Sequence, residues 1–265
     1  MQTVLSIAGF DPSSGAGVTA DLMVIAGHGL FGTAAITSLT VQSTVGVRDS
    51  QPVSPDLLRA TLDCLDSDLP PAGVKLGMLG TEEIVFVVAD YLERLRSLSP
   101  TAPIVLDPVL RSSSGRELLS RGGQALLRER LLPLVNWITP NLDELALLSG
   151  VRVGNRQELV SAAQTLARAW PKLNIVATGG HLDPPDDLLL TAAAEPHWIR
   201  GERIISNATH GTGCAFSSAL LSRLVRGEAA LEAAKGAKEY VAEAIRRATP
   251  LGHGKGPLDH LWLLR

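Results

Sequence analysis

The sequence predicts an α/β fold: three α/β/α layers around a mostly parallel central sheet, in a single domain over residues 1–265. Three observations carry this reading. Short apolar runs alternate with longer amphipathic stretches, which is the pattern of βαβ units. Aromatic residues make up 4% of the chain against 45% hydrophobic residues in total, so the core must be Leu, Val, Ile and Ala, as in helix-covered parallel sheets. No long Pro/Gly/Ser linker and no internal repeat divides the chain.

Each element follows from its local pattern. Val4–Ala8 reads as a strand that runs straight into Gly9, and residues 16–28 as a helix. Residues 34–41, rich in Ala, Ile and Thr, give a second strand. Residues 55–65 are helical by spacing, and 73–76 are a short buried strand. Residues 82–98 carry apolar positions at helical intervals, with Arg94 and Arg96 near the C-terminal end. Ile104–Leu106 is a strand ending at Asp107-Pro108. A helix over 118–130, a strand end at 137–139, helices over 141–148 and 158–170 and a strand over 174–177 continue the alternation. Residues 188–190 and 197–199 read as an antiparallel pair, and helices over 213–226 and 229–247 follow. In such sheets ligands sit at the C-terminal ends of the strands. That rule gathers Gly9, Asp11, Gln42, Met78, Asp107, Asn141 and Gly179 along one edge.

Composition excludes several classes of function. The net charge is −3, and no basic cluster alternates with aromatics, so nucleic-acid binding has no support. No apolar run approaches the length of a membrane span, and the N-terminus lacks the basic and apolar regions of a signal peptide. The two cysteines, Cys64 and Cys214, fit a reducing cytoplasm. The histidines lack zinc-ligand spacing.

Four stretches could carry chemistry. In Thr209-His210-Gly211-Thr212-Gly213-Cys214, glycines at a helix start leave backbone N–H groups bare to an anion, and the helix dipole adds positive potential. A phosphoryl group in transfer carries charge on its equatorial oxygens, so such a turn suits it. A helix N-terminus lowers a thiol pKa, which would make Cys214 a base or nucleophile. The same residues also fit a tight turn with a buried cysteine. The loop Gly9-Phe10-Asp11-Pro12-Ser13-Ser14-Gly15-Ala16-Gly17, leading to Asp21, could approach a substrate, or be a plain Gly/Ser turn; it is not a Walker A loop. Asn141-Leu142-Asp143-Glu144 could hold Mg²⁺ through waters, and is equally a capping-box pattern. Gly179-Gly180-His181 and the Asp/Pro run after it read as a flap hinge or a surface loop.

Taken together, the stretches SIAGFDPSSGAGVTADL, TSLTVQSTVGV, VKLGMLG, VLDPVL, ITPNLDE, GGH, THGTGCAFSSAL and AKEYVAEAI…GHGKGPLDH resemble, in order and spacing, the hydroxymethylpyrimidine/phosphomethylpyrimidine kinases of thiamine biosynthesis. The resemblance implies a ribokinase-like fold, usually a homodimer, using ATP and Mg²⁺. The implied substrates are 4-amino-5-hydroxymethyl-2-methylpyrimidine and its monophosphate. By match of position, Gln42 would read the pyrimidine edge, with Gly9, Asp21, Met78 and Val109 around it. Cys214 matches the proposed base, and Gly211, Thr212 and Gly213 match the anion hole. Asp107 and Glu144 match the metal-side acids; Asn141, Thr178 and Lys238 match the nucleotide site. Most sugar kinases of the superfamily carry Asp where Cys214 stands, so the cysteine points to a pyrimidine or a pyridoxal-like substrate. A pyridoxal kinase and a non-catalytic pyrimidine sensor are the alternatives. Two lysines common in the family are absent: Thr178 stands at one position, and the loop Arg111-Ser112-Ser113-Ser114-Gly115 lacks the other. Arg111 is the candidate replacement, and the second phosphorylation is the step these losses bear on.

Overall fold

The computed structural model describes residues 1–112, 115–192 and 195–265. Ser113, where the resemblance expects a lysine, lies outside the described residues. Among the described residues, nine strands form one sheet in the order β3-β2-β1-β4-β5-β6-β7-β8-β9. They are β1 (Thr3–Phe10), β2 (Phe31–Ser43), β3 (Gly46–Pro52), β4 (Gly73–Leu76), β5 (Ile104–Leu106), β6 (Trp137–Ile138), β7 (Asn174–Ala177), β8 (Asp187–Leu190) and β9 (His197–Ile199). The six strands β2, β1, β4, β5, β6 and β7 pair in parallel; β3 and β8 run against their neighbours.

Alternation of side chains splits each strand between two helical layers. Leu5, Ile7, Val74, Leu76, Ile104, Leu106 and Ile138 pack with α2 (Pro55–Asp68), α3 (Glu82–Leu98), α4 (Arg121–Leu126), α5 (Leu142–Ser149) and α6 (Arg156–Ala169). Val4, Val105, Trp137 and Val176 pack instead with α1 (Gly17–Gly27), α7 (Thr212–Val225) and α8 (Ala230–Arg247). The expected three layers and mostly parallel sheet are both present.

The differences have local causes. The sequence pattern gave no strand at β3, because this edge strand buries none of its seven residues. The helix expected over 118–130 starts at Arg121, where the Ser120 hydroxyl accepts from Gly123 N at 3.1 Å, and passes into a π-helical turn at Leu127–Leu131. Leu118 and Leu119 are buried ahead of it in extended chain. Among the described residues, no helix is long and apolar enough to cross a membrane.

Candidate active site

The parallel strands deliver their C-terminal ends to one cavity of about 650 Å³. Gly9 and Asp11 from the end of β1, Gln42 from β2, Met78 after β4, Asp107 and Val109 after β5 and Asn141 after β6 all line it. Gly179, expected on the same edge, does not. A Cβ on Gly9 would press on Met78 Sδ at 3.1 Å, so the two residues are closely packed. A β-bulge between Ala8 and Phe10 turns the end of β1 at this point. The β2–β3 hairpin adds Thr44, Val45 and Val47 as a wall. A second cavity of about 1820 Å³ opens alongside, lined by Thr178, Gly180, Trp198, Lys238 and Glu239 among others. Asn141, Glu144, Thr178, Thr212, Gly213, Arg111 and Lys255 line both cavities, so the two meet at the Gly211–Cys214 turn.

That turn is built to receive an anion. Ser54, Thr81, Ser120, Asn141 and Asn155 cap helices α2 to α6 through their side chains. Helices α1 and α7, which point at the smaller cavity, have no side-chain cap, and neither has an acidic residue in its first turn. The first N–H groups of α7 are left without a side-chain cap, whereas at the start of α1 the Ala16 N–H goes to Asp11 Oδ2 at 3.0 Å. Gly211 sits at φ 81°, a left-handed conformation natural to glycine, and a Cβ there would collide with the Gly15 carbonyl oxygen. The two glycine loops therefore lie back to back.

Beneath the turn lies a charged network. Asp21 was expected to touch substrate, but its side chain is fully buried and does not line the cavity. It holds Lys75 instead, with Nζ at 2.9 and 3.0 Å, and accepts from Ser6 and Ser218 hydroxyls at 2.6 and 2.8 Å. Lys75 is buried as well and lines the floor of the smaller cavity. Burial opposes its charge, yet Asp21 above all, with Asp107, holds it protonated. The expected lowering of the Cys214 pKa is overturned. Burial pushes the thiol up to about 12; Lys75 opposes this, and Asp107 and Asp21 add to it. Desolvation outweighs the helix end, so Cys214 is a neutral thiol at neutral pH.

Asn141 and Glu144 do form the capping box: Glu144 N donates to Asn141 Oδ1 at 3.0 Å and Asn141 N to Glu144 Oε2 at 2.9 Å. The same Glu144 lines both cavities. Burial, then the nearby Asp107, pushes its carboxyl up to about 8; burial raises Asp107 too. Two buried carboxyls whose pKa values are both raised, one of them partly by the other, fit a divalent cation shared with phosphate oxygens and waters. Among the described residues, no group of three His, Cys, Asp or Glu forms a dedicated metal cage.

Lys238 lines the larger cavity, but its ammonium is committed to Asp187 Oδ2 and the Pro185 carbonyl, both at 2.8 Å. The segment read as a flap hinge is tied down as well: Gly179 N donates to Asp187 Oδ1 at 2.8 Å, and a Cβ on Gly179 would collide with the Asp186 carbonyl. Sequence reasoning missed Lys75, His210 and Lys255 as site residues. A lysine inside the four-residue strand Gly73–Leu76 was the available signal for the first. His210 and Lys255 stood inside recognised motifs without a role.

A phosphomethylpyrimidine kinase family model matches residues 11–259. The hydroxymethylpyrimidine/phosphomethylpyrimidine kinase of Streptomyces coelicolor is 39% identical over 98% of this chain and 95% of its own length. The thiamine biosynthesis bifunctional protein ThiED of Geobacter sulfurreducens is 38% identical over 98% of this chain; the chain spans 52% of that longer protein. Among solved structures, the pyridoxal kinase of Staphylococcus aureus in complex with ADP superposes with a TM-score of 0.88 at 29% identity, over 98% of this chain and 94% of its own. The fold is therefore shared with a pyridoxal kinase, while the family model and the 39% identical relative show that the chain belongs to the phosphomethylpyrimidine kinase family.

Proposed function

We propose that this protein transfers the γ-phosphoryl group of ATP to the hydroxymethyl oxygen of 4-amino-5-hydroxymethyl-2-methylpyrimidine. It then phosphorylates the monophosphate to the diphosphate, as a step of thiamine biosynthesis. The observation that carries this reading is the meeting of two cavities at an uncapped helix start. The smaller, at about 650 Å³, suits a single heteroaromatic ring, and the larger a nucleotide. The site is read as that of a cytoplasmic, single-domain homodimer, a reading that rests on composition and on the family.

The chain's own groups divide the chemistry. Backbone N–H groups of Thr212, Gly213 and Cys214 stabilise the equatorial oxygens of the transferring group, whose charge develops in the transition state. Asp107 and Glu144 would hold Mg²⁺, which when bound neutralises phosphate charge. A neutral Cys214 thiol cannot accept a proton without losing its own. The neighbouring Asp107 carboxyl accepts from Ser217 Oγ at 3.3 Å. As the alcohol oxygen bonds to the γ-phosphorus and the bond from that phosphorus to the ADP oxygen breaks, the alcohol proton passes to Cys214 Sγ while the thiol gives up its own proton to an oxygen of the transferred phosphoryl group. Thiol and charge are thus conserved on sulfur. Arg111 and Lys255, lining both cavities, supply the cations that the absent lysines would have given.

Mass detection of the products formed from ATP, Mg²⁺ and the pyrimidine alcohol tests the proposal. Both mono- and diphosphate should appear, and kcat/KM should exceed that for pyridoxal. A higher kcat/KM for pyridoxal would replace this reading with that of a pyridoxal kinase.

A further inference from the structure

His210 has no place in the mechanism above, yet its side chain is held on several sides at the smaller cavity. Its ring stands so close to the loop that a Cβ on Gly15 would collide with its Cδ2 atom. Its backbone is fixed as well, His210 N donating to Gly256 O at 3.0 Å. His210 Nε2 lies 2.7 Å from Asp11 Oδ2 and 3.0 Å from the Gln42 side-chain amide.

The hydrogen-bond count at Asp11 decides what Nε2 carries. Ser13 N at 2.9 Å and Ser13 Oγ at 2.7 Å donate to Oδ1, and Ala16 N at 3.0 Å donates to Oδ2. Burial opposes ionisation of Asp11, but bonds from His210 and Ser13 hold its carboxyl below the usual range. A buried carboxylate offers only acceptors, so the His210 nitrogen facing it is the N–H. The Gln42 atom 3.0 Å from that N–H must then be its carbonyl oxygen, with the amide nitrogen toward Thr40 Oγ1, 3.2 Å from the amide's other end. Thr40 accepts there, because its own hydroxyl hydrogen goes to the Phe10 carbonyl at 2.9 Å. An amide is assigned by its partners in this way. The flanks of the amide are thereby used up. One N–H and one carbonyl lone pair of Gln42 remain for a ligand.

We infer that His210 is a specificity-determining positioning residue: clamped by Asp11, it fixes the Gln42 amide so that the smaller cavity selects a heterocycle with a ring-nitrogen acceptor beside an exocyclic amino donor. The inference rests on the kinase reading above for its substrate, and it deepens it. A ring that carries a hydroxyl in place of the amino group presents a different edge and gains less from the fixed amide.

The test uses the full-length protein with His210→Phe, which keeps a ring against Gly15 and removes the N–H, alone and combined with Gln42→Ala. Calorimetric binding of the pyrimidine alcohol without nucleotide is the first readout. His210→Phe should weaken it about 10-fold, and should weaken it less than about 2-fold in the Gln42→Ala background. In steady state the pyrimidine KM should rise about 10-fold while kcat falls less than about 3-fold, and the pyrimidine-over-pyridoxal preference should drop by a similar factor. Equal penalties in both backgrounds, or a loss confined to kcat, overturn the inference. If His210→Phe does not fold, Asp11→Asn decides: the same coupling to Gln42 supports the clamp, and unchanged pyrimidine binding overturns it. Wild-type protein that binds the pyrimidine but releases no ADP refutes the kinase reading and leaves the binding cycle to judge His210.

Discussion

Replacing Lys75 by Met removes the one cation among four buried groups while keeping a side chain of similar length. In the native protein the Asp21 carboxylate receives Lys75 Nζ at 2.9 and 3.0 Å and the Ser6 and Ser218 hydroxyls at 2.6 and 2.8 Å, and both members of the pair are fully buried. Without Lys75, Asp21 keeps two hydroxyl donors and a negative charge with no route to water. Breaking one side of a buried pair costs about 3–5 kcal/mol. For a chain of this size that corresponds to a Tm lower by roughly 10 °C. The double variant Lys75→Met/Asp21→Asn removes both charges and should recover more than half of the loss, since an uncharged pair of similar volume is often close to neutral. Urea denaturation followed by far-UV circular dichroism measures all three proteins. A single variant within about 1 kcal/mol of wild type, or a double variant as unstable as the two singles summed, would refute the account of the network.

Cys214→Ala should lower kcat by about 10²- to 10⁴-fold with the pyrimidine Kd changed less than about 3-fold; stopped-flow and calorimetry separate the two, and wild-type turnover would remove Cys214 from the proton path. Gly211→Ala forces a side chain into φ 81° and against the Gly15 carbonyl, so phosphoryl transfer should fall at least about 100-fold, and a rate near wild type would show that the turn does not need its left-handed glycine. The Glu144 carboxyl sits near pKa 8 in the folded chain against an ordinary 4.5, so its contribution to stability is fully present below about 4.5 and lost as pH rises through about 8. Between those limits the nucleotide-free wild type should lose stability relative to Glu144→Gln, which keeps the capping box; parallel pH profiles of Tm would count against the buried carboxyl pair.

The sheet and most helices were legible because their signals are local. Val4–Ala8, residues 73–76 and residues 104–106 are short, mostly apolar runs buried on both faces, and the helix over 82–98 keeps an apolar face throughout. The strand Gly46–Pro52 left no trace: an edge strand with nothing to bury has no reason to alternate, although it supplies a wall of the substrate cavity. Site positions were legible for the same topological reason, since strand ends must converge. Depth was not. Whether Asp21 points into the cavity or under it, and whether desolvation or the helix end governs Cys214, depends on α1 and α7 packing over β1 and β4, which no local pattern encodes. Asn141 and Glu144 form the cap that their spacing offered, and they line the cavity as well, because a capping carboxylate at a strand-end helix already stands on that side of the sheet.

The seam between the 207–213 turn and the segment around Gly256 has a consequence for the order in which the molecule becomes active. Gly256 N donates to Asn207 O at 2.9 Å, and a Cβ on Gly252 or Gly254 would strike Thr44 at the tip of the β2–β3 hairpin. The substrate cavity is thus enclosed by residues as far apart in sequence as Ala8 and Lys255. During synthesis, β1, β2 and β4 can pair and bury their apolar faces long before this last segment emerges from the ribosome. These strands can therefore form before the pocket is enclosed, and catalytic competence waits on the segment around Gly256.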